Sequence, residues 1–160
     1  MEHVHHCYQA VGLKSSAQAL GTAHGALDRA MEHAKQREQF GRKLSQFQAL
    51  RHKMADMAAS IEVIRWLTYK AAADYDRERV DPGFLAMTHL EAGRRLVGVV
   101  DEAVQIFGGY GYMAEQAIEH YFRDAWAIEV DLGTEEEQKD RIADGLLGVD
   151  AAKRSMQNEQ

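Results

Sequence analysis

Between Phe47 and Ile64 the apolar residues Phe47, Leu50, Met54, Met57, Ile61 and Ile64 follow one another at alternating steps of three and four. That spacing places every side chain on one face of an α-helix and predicts a bundle seam. Ser45 stands where an N-cap for this helix is expected. An earlier helix is predicted from about Tyr8 to Lys35, with Leu20, His24, Leu27, Met31 and Ala34 as its stripe. Gly12, Gly21 and Gly25 interrupt it. A helical glycine costs about 1 kcal/mol relative to alanine, so close approach of a neighbouring helix is the expected compensation.

A third helix is announced by Asp81-Pro82, a side-chain cap followed by a proline at the first turn, where no N–H is needed. Phe84, Met87, Leu90, Val97, Val100, Val104 and Phe107 form its expected inner face, and Gly108-Gly109 its end. A fourth segment, from about Glu115 to Val130, carries Ile118, Tyr121, Phe122 and Trp126. Thr134 with Glu137 three residues later predicts a capping box for a last helix reaching about Leu147. The expected fold is all-α, an antiparallel four-helix up-and-down bundle with a short fifth C-terminal helix. Residues 1–7 read as a disordered or appended start, residues 8–148 as the bundle and residues 149–160 as a flexible tail.

Composition narrows the function. The 160 residues, 46% of them hydrophobic, suffice for one domain with a real core, and the single proline favours long helices. A net charge of −6 with scattered basic residues argues against binding to nucleic acid. The single cysteine, Cys7, forms no intramolecular disulfide. No apolar run approaches the roughly 18 residues of a membrane span, and the charged start does not read as a signal peptide. These features point to a cytoplasmic protein. His3, His5 and His6 beside Cys7 lie at a terminus without fixed geometry and are not taken as a metal site.

A di-iron centre, common in helical bundles, needs Glu-x-x-His pairs on two helices. The chain offers that spacing only at Glu2-x-x-His5. Arg37-x-x-Phe40-Gly41 closes the first helix; the arginine offers a fixed fork of donors suited to a pyrophosphate, and the phenylalanine an apolar surface for a ring. Ordinary helix-ending chemistry also accounts for it. Gln105-Ile-Phe-Gly-Gly-Tyr-Gly-Tyr112 puts three glycines in four positions after a helix, where backbone N–H groups can approach an anion closely. With no strand before it and no helix opening directly on the glycines, it is not a dinucleotide-binding Rossmann turn. A tight interhelical turn would use the same glycines.

Arg37-x-x-Phe40-Gly41, Phe47-Gln48, Lys53-Met54-Ala55-Asp56, Gln105 to Tyr112, Arg123-Asp124 and Gly133-Thr134 occur in an order and spacing that resembles the C-terminal helical domain of acyl-CoA dehydrogenases, from about Gln18 to Leu147. The resemblance implies a flavoprotein that oxidises acyl-CoA thioesters between the α and β carbons and passes electrons from FAD to an electron-transfer flavoprotein. It implies assembly as a homo-oligomer or as one subunit of a heteromer. Carried over by motif, Arg37 and Phe40 would contact the FAD pyrophosphate region of an adjacent subunit, and Gln105, Gly108 and Gly109 its adenosine diphosphate portion. Thr134 and Glu136 match positions that approach the flavin.

The departure lies at Leu132, where many members carry the glutamate that removes the α-proton. A leucine has no basic atom. The other place where the family puts that glutamate, on the first helix of this domain, corresponds to Val11-Gly12. Asp131 and Glu129 are nearby acids, but a one-residue offset turns a side chain about 100° on a helix. No catalytic residue is therefore assigned. The sequence supports the C-terminal domain of an FAD-dependent dehydrogenase, with a non-catalytic partner subunit and a ligand-free helical assembly module as the competing readings.

Overall fold

The structure, a computed structural model, describes residues 2–131 and 133–148, with nothing stated of the side chains of residues 2–6. Leu132 and the expected tail at 149–160 lie outside the described residues. Five α-helices dominate: α1 (Glu2–Gln36), α2 (Gln48–Asp76), α3 (Pro82–Phe107), α4 (Ile118–Val130) and α5 (Glu135–Leu147). The all-α class follows. The backbone of α1 is helical from Glu2, so the stretch expected to be loose before Tyr8 is part of the first helix.

Helix ends are set largely as the sequence indicates. Asp81 accepts hydrogen bonds from the N–H groups of Gly83 (2.8 Å) and Phe84 (3.3 Å) at the start of α3. Thr134 and Glu137 close a reciprocal capping box at α5: the Glu137 N–H donates to Thr134 Oγ1, and the Thr134 N–H donates to the Glu137 carboxylate. Ser45 does not cap α2. It lies in a 3-10 turn, Leu44–Gln46, and the N-cap is Phe47, without a side-chain hydrogen bond. Between α1 and that turn, β1 (Glu38–Gln39) and β2 (Arg42–Lys43) pair antiparallel. Phe40 and Gly41 at its tip have φ of 52° and 76°, the positive pair that a two-residue hairpin turn demands. The sequence places this motif at the end of the first helix; strands of two residues each leave no alternating pattern to read.

Packing turns two of the expected faces. On α1 the fully buried line is Ser15, Ala19, Ala23, Ala26, Ala30 and Ala34, with Leu27, while Leu20 and Met31 are only partly covered and His24 is exposed. Small residues point inward because α3 lies against them and the two backbones come close. On α3, Leu85, Ala86, Ala92, Leu96, Val99, Val100, Ala103, Ile106 and Phe107 are buried, whereas Phe84, Met87, Leu90, Val97 and Val104 are half-buried. α3 touches each of the other four helices, so its buried face is broad, while Arg94, Gly98, Asp101 and Gln105 form one exposed stripe. The α2 seam holds at Met57, Ile61 and Ile64. Of the α4 residues noted for their helical spacing, Ile118 is buried and Trp126 is exposed.

Among the described residues no helix is long and apolar enough to cross a membrane, and no group of three or more His, Cys, Asp or Glu is arranged to hold a metal. His89 is a polar residue within the core, and its Nε2 has no hydrogen-bond partner. Burial holds its imidazole below the usual range, against the opposing effects of the Asp131 carboxylate and the Glu129 backbone carbonyl.

Two predictions follow from this packing. A Cβ at Gly21 meets nothing within 4 Å, whereas one at Gly25 would stand 2.9 Å from the Tyr121 ring. Gly21→Ala should raise the unfolding free energy by about 0.5–1 kcal/mol. Gly25→Ala should lower it, because overpacking costs about 1–3 kcal/mol against that gain; urea denaturation of both variants checks this. His89 binds fewer protons folded than unfolded, so stability should decline as pH falls from about 7 toward 5. Half-buried His33, also lowered, adds a contribution of the same sign, so His89→Gln should flatten the decline without abolishing it, measured as melting temperature against pH.

Candidate functional site

The C-terminal ends of α1 and α3 lie side by side, joined by a ring stack. His33, in the last turn of α1, lies 4.2 Å from the ring of Phe107, the last residue of α3, at an interplanar angle of 18°. Arg37 follows one turn after His33 and is fixed through its backbone: its N–H donates to the His33 carbonyl (2.8 Å) and its carbonyl accepts from Leu44 (2.9 Å). The Arg37 guanidinium lies 5.4 Å from the centre of the Tyr110 ring. It has no carboxylate partner among the described residues.

Between these groups opens a recess of about 510 Å³, walled by His33, Arg37, Leu44, Phe107, Gly108, Gly109 and Tyr110. Gly108 has φ 60° and ψ −137°, a conformation that favours glycine. A Cβ at Gly108 or Gly109 would meet nothing within 4 Å, so the glycine backbone faces open space where a ligand can approach it. Helix C-termini carry partial negative charge, and basic groups complement them. An anion in this recess would therefore depend chiefly on Arg37, because the Gly108 N–H is already given to the Gln105 carbonyl. Burial first, then the Arg37 charge, holds the His33 imidazole below its usual value.

Of the sequence-predicted residues, Arg37, Gly108 and Gly109 come together here. Phe40 sits at the hairpin tip, 92% exposed, and does not line the recess. Gln105 is exposed, and its backbone carbonyl accepts from the Gly108 N–H. Thr134 and Glu136 border a different hollow of about 280 Å³, together with His89, Glu129 and Glu135. His89 and Gly108 are separated along α3 by roughly 28 Å at 1.5 Å rise per residue, so the two groups of residues form two faces rather than one.

At this second face the Thr134 N–H and hydroxyl oxygen are engaged in the capping box. The exposed Glu136 carboxyl is held below the usual carboxylate range, first by its own backbone N–H and then by the Thr134 hydroxyl, with Lys139 and Arg94 adding to the effect. Glu135 pairs with both Arg94 and Lys139. Asp131 is tied to α1, accepting a hydrogen bond from Ser15 Oγ at 3.1 Å. Glu129 packs its backbone and stem against Gly93 of α3. Sequence reasoning missed His33. The available signal was its place one helical turn before Arg37, which puts both on the same side of α1.

Residues 13–147 match the family profile of the acyl-CoA dehydrogenase C-terminal domain. The chain is 38% identical over 131 residues to cyclohexane-1-carbonyl-CoA dehydrogenase of Geobacter metallireducens, covering 82% of this chain and 34% of that protein. Among solved structures it is similar to butyryl-CoA dehydrogenase of Megasphaera elsdenii, with a TM-score of 0.85, 39% identity, and coverage of 88% of this chain and 37% of that one. A chain in a structure of the electron transferring flavoprotein of Acidaminococcus fermentans is similar at 40% identity and a TM-score of 0.85, over 88% of this chain and 37% of that one. This chain thus spans about a third of the length of the curated relatives it matches. With the profile and the fold agreeing over most of its residues, the chain belongs to the acyl-CoA dehydrogenase family and carries that family's C-terminal helical domain.

Proposed function

We propose that this chain acts as the C-terminal domain of an FAD-dependent acyl-CoA dehydrogenase, lending cofactor contacts and an oligomer-forming surface to an assembly whose α-proton abstraction it does not itself supply. The observation that carries the reading is the recess that Arg37, with no carboxylate partner among the described residues, shares with the open backbone of Gly108 and Gly109. FAD, when bound, supplies the hydride acceptor for α,β-dehydrogenation. Arg37 offers two parallel N–H donors to one phosphate, and Gly108 and Gly109 offer backbone approach without side-chain obstruction. Gln105 and Phe40 flank this face from the helix end and the hairpin tip. Thr134 and Glu136 serve the second face, and its separation along α3 suits contact with a different copy of the cofactor in the assembly.

The oligomeric surface falls on α2, where Val63, Trp66 and Tyr69 recur at steps of three and are all exposed, Trp66 by 69%. Large aromatics left uncovered on one helix suit an interface. An acyl-CoA substrate and an electron-transfer flavoprotein are the partners of the complete assembly in this reading. Leu132 favours a second form of it, a non-catalytic subunit paired with an active one, and the Ser15–Asp131 hydrogen bond directs the nearest acid toward α1.

FAD titration followed by flavin fluorescence should show binding that weakens about 10- to 100-fold in Arg37→Ala, the loss of one or two charge-assisted hydrogen bonds. Equal affinity in the variant would remove this recess from cofactor binding. In the full-length assembly, Leu132→Glu should introduce α-proton exchange on a saturated acyl-CoA, followed by deuterium incorporation; no exchange would mean that more than the base is missing.

A further inference from the structure

His33 separates two hollows. One is the Arg37 recess, and the other, of about 220 Å³, is bordered by Arg29, Glu32, Gln36, Phe107 and Gln116. Arg29, His33 and Arg37 follow one another at steps of four, which aligns three basic side chains along one side of α1. Arg29 is committed to the Gln116 carbonyl at 3.1 Å. The imidazole of His33 is pinned by its stack on Phe107. Its ring therefore cannot swing away when a charge arrives beside it.

The groups facing His33 can be named element by element. From α1 come Arg29, Glu32 and Arg37; from the end of α3 and the turn after it, Phe107 and Tyr110; from the hairpin, Gln39; from the later turn, Gln116. Glu32 is the sole acid among the described residues bordering the two hollows, and it accepts from Gln36 Nε2 at 3.2 Å. The surroundings of the ring are thus cationic or neutral on the recess side.

Resting on the FAD reading above, we propose that His33 is a proton-linked contact for the diphosphate of the bound dinucleotide, taking up a proton as that diphosphate docks against Arg37. Without an anion, burial and then the Arg37 charge hold the imidazole pKa below its ordinary value. Two phosphate charges in the recess reverse the local field, and an opposite charge within about 4–6 Å favours the protonated ring. By linkage, whatever raises the imidazole pKa on binding makes binding tighter at low pH. The affinity rises as pH falls through the liganded pKa and levels off below the free one. A one-unit rise corresponds to about tenfold in affinity.

The test is isothermal titration of the full chain with FAD at about pH 8 and about pH 5.5, repeated in buffers of different ionisation enthalpy to count protons. The diester phosphates of FAD keep their charge over this range, and ADP-ribose serves as a probe with the same diphosphate and no flavin. The wild type should bind both probes about three- to tenfold more tightly at the lower pH, with net proton uptake. His33→Phe, which keeps the ring stack, and His33→Gln, which keeps a polar group, should bind at the higher pH and lose both the pH dependence and the uptake. Circular dichroism establishes that the variants fold, and either folded variant suffices. Binding with the same pH dependence in the variants, or no uptake by the wild type, overturns the role of His33 alone. Uptake with FAD but not with ADP-ribose also overturns it, because the linkage would then belong to the flavin. No binding of either probe at either pH overturns the cofactor reading itself and this inference with it.

Discussion

The close approach of α1 to α3 is the constraint on which the rest of the structure depends. Six alanine or serine positions, Ser15, Ala19, Ala23, Ala26, Ala30 and Ala34, are fully buried along one line of α1. Small side chains let helix axes come near, so that α3 gains contact with backbone as well as with side chains. α3 can then be enclosed by all four of its neighbours. Its buried face is accordingly wide and rich in small and β-branched residues, and only the stripe of Arg94, Gly98, Asp101 and Gln105 is left to solvent.

That contact also builds the site. Because α1 and α3 finish at the same end, His33 stacks on Phe107, and the segments leaving each helix, Arg37 with the hairpin on one side and the glycine turn on the other, wall a common recess. The charge balance there is unusual for the anion site proposed above. Two helix C-termini disfavour negative charge, and the recess offsets them with Arg37, which has no carboxylate partner among the described residues. At the other face, α5 begins beside the buried His89, and its capping box uses the polar atoms of Thr134. Rigid helices keep the two faces apart, so the residues that the sequence groups as one candidate site are not contiguous in space.

Much of the fold was legible in the residues themselves. The Asp81-Pro82 start, the Gly108 stop and the Thr134–Glu137 box are local hydrogen-bonding arrangements, complete within four residues, and they form as expected. The α2 seam was legible because its apolar residues are large and, as far as Glu62, the residues between them are mostly polar or small. The α1 stripe was misjudged because hydrophobicity ranks leucine and methionine above alanine, whereas the approach of α3 selects for size. His33 was passed over for a related reason: it has no motif of its own, and its role depends on a phenylalanine more than seventy positions away in the chain.

By itself, the sequence determined where α3 begins and ends and where α5 begins, which family the chain joins, and that position 132 carries a leucine with no proton-accepting side-chain atom. Those properties are written in short stretches of chain or in the identity of one side chain. Only the tertiary structure decided that Arg37, His33 and the Gly108-Gly109 turn share one recess while Phe40 points to solvent and Thr134 and Glu136 lie at another face. The physical reason is that these relations arise from how helices of fixed length pack against one another. A side chain's partner across that contact is set by the distance between backbones, which no local pattern of residues records.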